Sequence, residues 1–139
     1  MNRYSFGEME VGHTEAFEVT VTEKQMQQFL DITADTNPLH NDSEFARKRN
    51  YQNKVVYGML TASFLSTLAG VYLPGENSLI HSVEMKFMKP VYPGDTLLIT
   101  GTVAEKIEAV QMLLLKVKIT NQAGICVVKA DMKVGVLHE

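Results

Sequence analysis

Gly58-Met59-Leu60-Thr61-Ala62-Ser63-Phe64-Leu65-Ser66-Thr67-Leu68-Ala69-Gly70-Val71-Tyr72 carries no charged residue and sets apolar side chains on nearly every face of a helix. A helix of that kind is expected to be buried all round. It is too short and too rich in Ser and Thr to span a bilayer, so the rest of the protein has to wrap it. The sequence that follows supplies the wrapper. Val83, Met85 and Phe87 alternate with Glu84, Lys86 and Met88, and Leu113, Leu115, Val117 and Ile119 alternate with Leu114, Lys116 and Lys118, the pattern of strands with one covered face. Further strands are expected from Thr96 to Glu105, from Ile125 to Val136 and around Ala16 to Thr20. Tyr92-Pro93-Gly94-Asp95 and Asn121-Gln122-Ala123-Gly124 are short connections, which favour antiparallel neighbours. The expected architecture is one α+β domain spanning residues 1–139, an antiparallel sheet curled around a single apolar helix.

The whole chain agrees with that plan. Its 139 residues suffice for one domain and are too few for two ordinary ones. With 45% hydrophobic and 21% charged residues it has the composition of a globular chain rather than a disordered or fibrous one. A formal net charge of -3 gives no basic face for nucleic acid or an anionic membrane. The first residues, Met1 to Glu8, have no apolar core of a signal peptide, so the expectation is a cytoplasmic protein. Cys126 stands alone in the apolar stretch from Ile125 to Val128, which suits a small buried hydrophobe better than a nucleophile. The histidines, at positions 13, 40, 81 and 138, show no metal-ligand spacing.

Upstream of the apolar helix, Thr22-Glu23-Lys24-Gln25 has the form of a capping box, with Val21 and Met26 placed as a hydrophobic staple. A helix starts there, shows Met26, Phe29, Leu30 and Thr33 on one face, and stops as Asp35 and Pro38 approach. Its exit is Asp35-Thr36-Asn37-Pro38-Leu39-His40. A turn closing at Pro38 can fold the carboxylate of Asp35 and the imidazole of His40 back toward one point, with Asn37 holding the loop by a local hydrogen bond. Asp and Asn before Pro also end helices for structural reasons alone, and on the hexapeptide by itself both readings stand. Asn41-Asp42-Ser43 then supplies cap residues for a short polar helix from about Ser43 to Arg49, and Tyr51 to Lys54 reads as loop.

Asp35-Thr36-Asn37-Pro38-Leu39-His40-Asn41-Asp42, Val55-Val56-Tyr57-Gly58-Met59-Leu60 and Phe87-Met88-Lys89-Pro90-Val91-Tyr92-Pro93-Gly94-Asp95 occur in that order. Together, from about Thr14 to Val136, they resemble the MaoC-like, (R)-specific enoyl-CoA hydratase family. The resemblance implies a hot-dog fold, usually assembled as a homodimer or higher homo-oligomer. It implies that Asp35 and His40 activate one water for addition across the double bond of a trans-2-enoyl thioester. The backbone N–H of Gly58 is then offered to the thioester oxygen, and Ser66, with Ser63 as its neighbour, lies near the pair. Asn37, Tyr57, Gly58, Ser63 and Ser66 are accordingly the expected substrate-binding positions. Neither a metal nor a redox cofactor is implied. Coenzyme A enters only as part of the acyl-CoA substrate, with a thioester of acyl carrier protein as the alternative. The third motif looks structural, fixing a strand and its turn. Many members carry histidine where this chain has Tyr57: if that histidine only lines the pocket, the reading preferred here, tyrosine takes its place there, and if it contributes to proton handling the substitution bears on activity.

The chemistry asks for such groups. Adding water at C3 of an enoyl thioester requires a base for the water, an acid for C2 and a donor for the oxygen on which negative charge collects. A carboxylate and an imidazole around one water serve the proton transfers. A backbone N–H at the start of a helix serves the oxygen, and a glycine there lets the thioester approach. Blander roles exist for several positions. Gly58 could be an ordinary helix-entry glycine, Ser63 and Ser66 could bond back to helix carbonyls, and the methionines could simply fill gaps in the core. Two other functions compete. One is a dehydratase acting on acyl carrier protein, for which Lys86, Lys89 and Arg47-Lys48-Arg49 leave an acidic partner open; the other is a non-catalytic acyl-thioester binding module. A hot-dog thioesterase fits less well, since Gly58 to Tyr72 contains no acid.

Overall fold

A computed structural model describes residues 1–138. Strand β1 (Thr14–Thr20) leads into helix α1 (Glu23–Thr33), which starts at the capping box: Thr22 Oγ1 accepts the N–H of Gln25 at 3.1 Å and Gln25 Oε1 accepts that of Thr22 at 3.0 Å. Val21 and Met26 are both buried in the core. The helix ends at Ala34, in the left-handed region with φ 56°. Beyond it the chain differs from the expected turn. Pro38 opens a short helix, α2 (Pro38–Asn41), capped by Asn37, whose Oδ1 accepts the N–H of Leu39 at 2.9 Å. Proline suits a first helical turn because its missing N–H has no intrahelical acceptor there and its fixed φ is already helical. Helix α3 (Ser43–Lys48) follows, capped by Asp42.

The central helix α4 (Gly58–Thr67) passes into a π-helical turn (Leu68–Tyr72). Strands β2 (Ser78–Phe87), β3 (Thr96–Ile107), β4 (Met112–Thr120) and β5 (Cys126–Val136) complete the chain. The five strands form one antiparallel sheet in the order β1-β3-β4-β5-β2, which makes β1 and β2 its edges. This is the expected α+β layout. Leu113, Leu115, Val117 and Ile119 of β4 are all buried, in one apolar cluster with Leu60, Leu65, Leu68 and Ala69 of the central helical segment. Cys126 is half-buried, its Sγ 3.4 Å from the carbonyl oxygen of Val128. Among the described residues no helix is long and apolar enough to cross a membrane.

Two expectations fail on one side of the molecule. The central helix is not enclosed all round: Leu60, Thr61 and Leu65 are buried, whereas Met59 is 66% exposed and Ser63 and Ser66 also face outward. Likewise the alternating face of β2 is only partly covered, with Val83 43% and Phe87 52% exposed. The reason is geometric. One sheet of five strands covers one side of a helix, and β2 is the edge strand with a partner, β5, on one flank only. The covered side is tightly packed. At Gly101 in β3 a Cβ would lie 2.8 Å from Cδ2 of Leu68, a side chain with no exposed surface into which it could withdraw. Gly101→Ala should therefore lower stability by about 1–3 kcal/mol through overpacking, read as a lower urea midpoint at an unchanged slope; an unchanged midpoint would mean that the contact has slack.

Candidate active site

The site forms where the exit of α1, the short helix α2 and the start of α4 meet. Asp35 is exposed, and its N–H donates to Thr33 Oγ1 at 3.3 Å. Its Oδ1 accepts the N–H of Asn37 at 3.1 Å, an Asx turn that leaves Oδ2 without a hydrogen-bond partner among the described residues. His40, on α2, is half-buried, and its Nδ1 lies 2.7 Å from the carbonyl oxygen of Val55. A carbonyl can only accept, so Nδ1 carries the proton and, in the neutral ring, Nε2 keeps the lone pair. Val55 is itself fixed: its N–H donates to Leu39 O at 3.0 Å, and the next N–H, of Val56, donates to Val91 O at 2.8 Å.

Gly58 is the first residue of α4, so its N–H has no acceptor within the helix and stands at the positive end of the helix dipole. A Cβ at this position would lie 3.1 Å from Cε1 of Phe87, so the glycine keeps open the gap between α4 and the edge strand. His40 and Gly58 line one cavity of about 320 Å³, whose wall also includes Val55, Thr61, Phe87 and Lys89. Phe87 separates it from an apolar hollow of about 420 Å³ lined by Met59, Ala62, Ser63, Val83 and Met85.

The seven positions singled out from the sequence are thus distributed unevenly. His40 and Gly58 share a cavity. Asp35 is not among the residues lining that cavity and makes no direct hydrogen bond to His40 among the described residues; the two are joined through Tyr57. That residue is only 2% exposed and lines neither cavity, unlike the expected pocket-lining tyrosine. At the N-cap of α4 its side chain turns inward, where the ring packs on Phe29 and His40 with centroids 4.6 and 4.3 Å away. Its hydroxyl donates to the carbonyl oxygen of Asp35 at 2.8 Å. Asn37 uses its side chain to cap α2. Ser63 Oγ donates to Leu60 O at 2.6 Å, the back-bonding expected of a helical serine, while lining the apolar hollow. Ser66 is exposed and lines neither cavity.

The third sequence motif does more than shape a turn. Asp95 Oδ2 does accept the N–H of Tyr92 at 2.9 Å, and Gly94 takes the left-handed φ of 95° the bend requires. Yet Phe87, Met88, Lys89, Pro90 and Val91 also line the cavity with His40. Two contributors have no clear sequence signal. The carbonyl of Val55 is backbone and is invisible in residue type. Asn41 reads as a cap residue, but its amide reaches Tyr57, Asn37 and Asp35. Among the described residues no group of three or more His, Cys, Asp or Glu side chains is placed to hold a metal ion. What the arrangement offers is a carboxylate with one free oxygen, an imidazole with one free lone pair and a helix-start N–H, the kinds of group that move protons and stabilise an oxyanion.

Residues 8–123 match the family described as MaoC like domain. An (R)-specific enoyl-CoA hydratase of Rhodospirillum rubrum is 31% identical to this chain over 105 residues, covering 73% of each. Among solved structures, an (R)-hydratase from A. caviae involved in PHA biosynthesis has a TM-score of 0.87 and 30% identity, covering 92% of this chain and 97% of that one. An unliganded R-hydratase from Pseudomonas aeruginosa has a TM-score of 0.89 and 27% identity, covering 96% of this chain and 86% of that one.

Proposed function

We propose that this chain, which belongs to the MaoC-like family, reversibly adds water to a trans-2-enoyl-CoA to give an (R)-3-hydroxyacyl-CoA. Its class is that of a hydro-lyase, in keeping with relatives named hydratase and dehydratase. The finer reading assigns Asp35 and His40 to one water. In the neutral ring, Nε2 of His40 has the lone pair needed to take a proton from that water, and Oδ2 of Asp35 holds the water in line. The hydroxide adds at C3, negative charge gathers on the thioester oxygen beside the Gly58 N–H, and the pair returns one proton to C2. No metal or redox cofactor enters this scheme. The observation that carries it is the 2.7 Å contact from His40 Nδ1 to Val55 O, which commits the imidazole to the tautomer a base requires in the cavity that Gly58 also lines. The (R) configuration follows the naming of the relatives.

Delivery of the acyl group on a carrier protein is the second reading, favoured by relatives named 3-hydroxyacyl-[acyl-carrier-protein] dehydratase and by Lys89 in the cavity wall. A bare binding module would have no need of a prepared base. We also infer that the chain works as a homodimer, with a second copy over the open side of α4. Met59, Val83 and Phe87 are exposed together there, beside a sheet edge with no partner strand.

Two experiments test these statements. With crotonyl-CoA and a longer enoyl-CoA, the wild type should bleach the enoyl-thioester absorbance, and Asp35→Asn and His40→Ala should each lower kcat by at least about 10²-fold. Equal slow rates in all three proteins would sink the hydratase reading, and release of free thiol would redirect it to thioester hydrolysis. Sedimentation equilibrium should give twice the 15.5 kDa chain mass, falling toward a single chain in Val83→Lys; a wild type that sediments as one chain would contradict the dimer.

A further inference from the structure

We propose that Tyr57 is a positioning residue, whose hydroxyl and ring together fix where Asp35 stands relative to His40 without touching the substrate. The proposal rests on the reading of Asp35 and His40 as the reacting pair. A phenol buried this deeply needs a partner for its one proton. The carbonyl oxygen of Asp35, 2.8 Å away, can only accept and so receives it. The oxygen of the phenol in turn accepts from Asn41 Nδ2 at 3.1 Å.

The same amide nitrogen lies 3.0 Å from the carbonyl oxygen of Asn37 and 3.3 Å from that of Asp35. Two carbonyl oxygens call for a donor, which sets the orientation of the Asn41 amide. Its Oδ1, 3.3 Å from the phenol oxygen, consequently receives no proton from it. The peptide that carries Asp35 is thus held by the Tyr57 hydroxyl at 2.8 Å and more weakly by the Asn41 amide at 3.3 Å, whose two N–H protons are shared among three oxygens.

At its other end Tyr57 fixes the partner. The phenol ring lies against the imidazole of His40 at 4.3 Å and 30°, backed by Phe29, while Val55 O holds the imidazole by its Nδ1 edge. Val55 and Tyr57 are two residues apart on the segment entering α4, so one short stretch of chain sets the orientation of His40 through a carbonyl and a ring. Because the hydroxyl proton is already engaged and the side chain lines neither cavity, Tyr57 has nothing to offer substrate directly. Its effect has to pass through the two residues it holds.

The test is Tyr57→Phe, which keeps the ring and removes the hydroxyl, with Asn41→Ala as a second variant that removes the other donor to Asp35. For crotonyl-CoA, kcat should fall about tenfold or more, as small misplacements of reacting groups do, while KM stays within about twofold. The limbs of the pH–kcat profile should stay at their wild-type positions. Amide exchange at Asn37, whose N–H is bonded to Asp35 Oδ1, should quicken in both variants with the circular dichroism spectrum unchanged. An unaltered kcat would overturn the proposal. So would a rise in KM alone, which marks a pocket residue, or the loss of a pH limb, which marks a phenol taking part in proton transfer. Should Tyr57→Phe fail to fold, Asn41→Ala decides by the same readouts. A wild type with no hydratase activity refutes the function instead, and the exchange rate at Asn37 then decides whether Tyr57 holds the loop.

Discussion

The helix that begins at Gly58 has almost no polar face, and a sheet of five strands can cover only one side of it. Leu60, Leu65 and Leu68 are buried in the same core as the inward residues of β3, β4 and β5, which settles how the helix lies on the sheet. Its N-terminus then emerges beside α2, because the segment leading into it is tied down by the N–H groups of Val55 and Val56. The helix-start N–H of Gly58 and the imidazole of His40 arrive at one cavity as a result of that packing. The side left open is the apolar strip of α4 and β2, where a second copy is inferred to sit. Fold and cavity both follow from burying one apolar helix.

The loop from Asp35 to Asn41 has little apolar surface of its own, and only Leu39 and His40 within it are even half-buried. Hydrogen bonds therefore hold it. Individually such bonds contribute about 0.5–1.5 kcal/mol each, and their value here lies in direction more than in energy. Thr33 fixes the N–H of Asp35, Tyr57 and Asn41 fix its carbonyl, Asn37 engages one carboxylate oxygen, and Val55 engages one imidazole nitrogen. Among the described residues, the side-chain atoms of this pair left without a hydrogen-bond partner are Asp35 Oδ2 and His40 Nε2. The local network thus leaves free the two atoms that the proposed chemistry uses.

Much of the fold is legible because it rests on side-chain periodicity. The β4 run from Leu113 to Ile119 alternates and is buried as it alternates, and Thr22 with Gln25 makes both bonds of its capping box. Periodicity cannot say how far one chain reaches around its own helix, which is why Val83 and Phe87 read as covered and lie open. At the site, side-chain type suggests Asp35, His40 and Gly58, whereas the groups that orient them are harder to see. Val55 acts through a carbonyl that every residue has. Asn41 looks like any residue between two short helices. Tyr57 stands where many members of the family carry histidine and so reads as a wall residue by resemblance, yet the inward direction of an N-cap side chain depends on how α1 and α2 pack around it.

The central claim is that Asp35 and His40 share one water beside a thioester whose oxygen meets the N–H of Gly58. The most direct measurement is a crystal structure of Asp35→Asn soaked with crotonyl-CoA. The account predicts the thioester oxygen within hydrogen-bond distance of Gly58 N, and a water lying between His40 Nε2, the residue 35 side chain and C3 of the enoyl group. A thioester bound with its oxygen away from Gly58, or a C3 out of reach of His40, would contradict it.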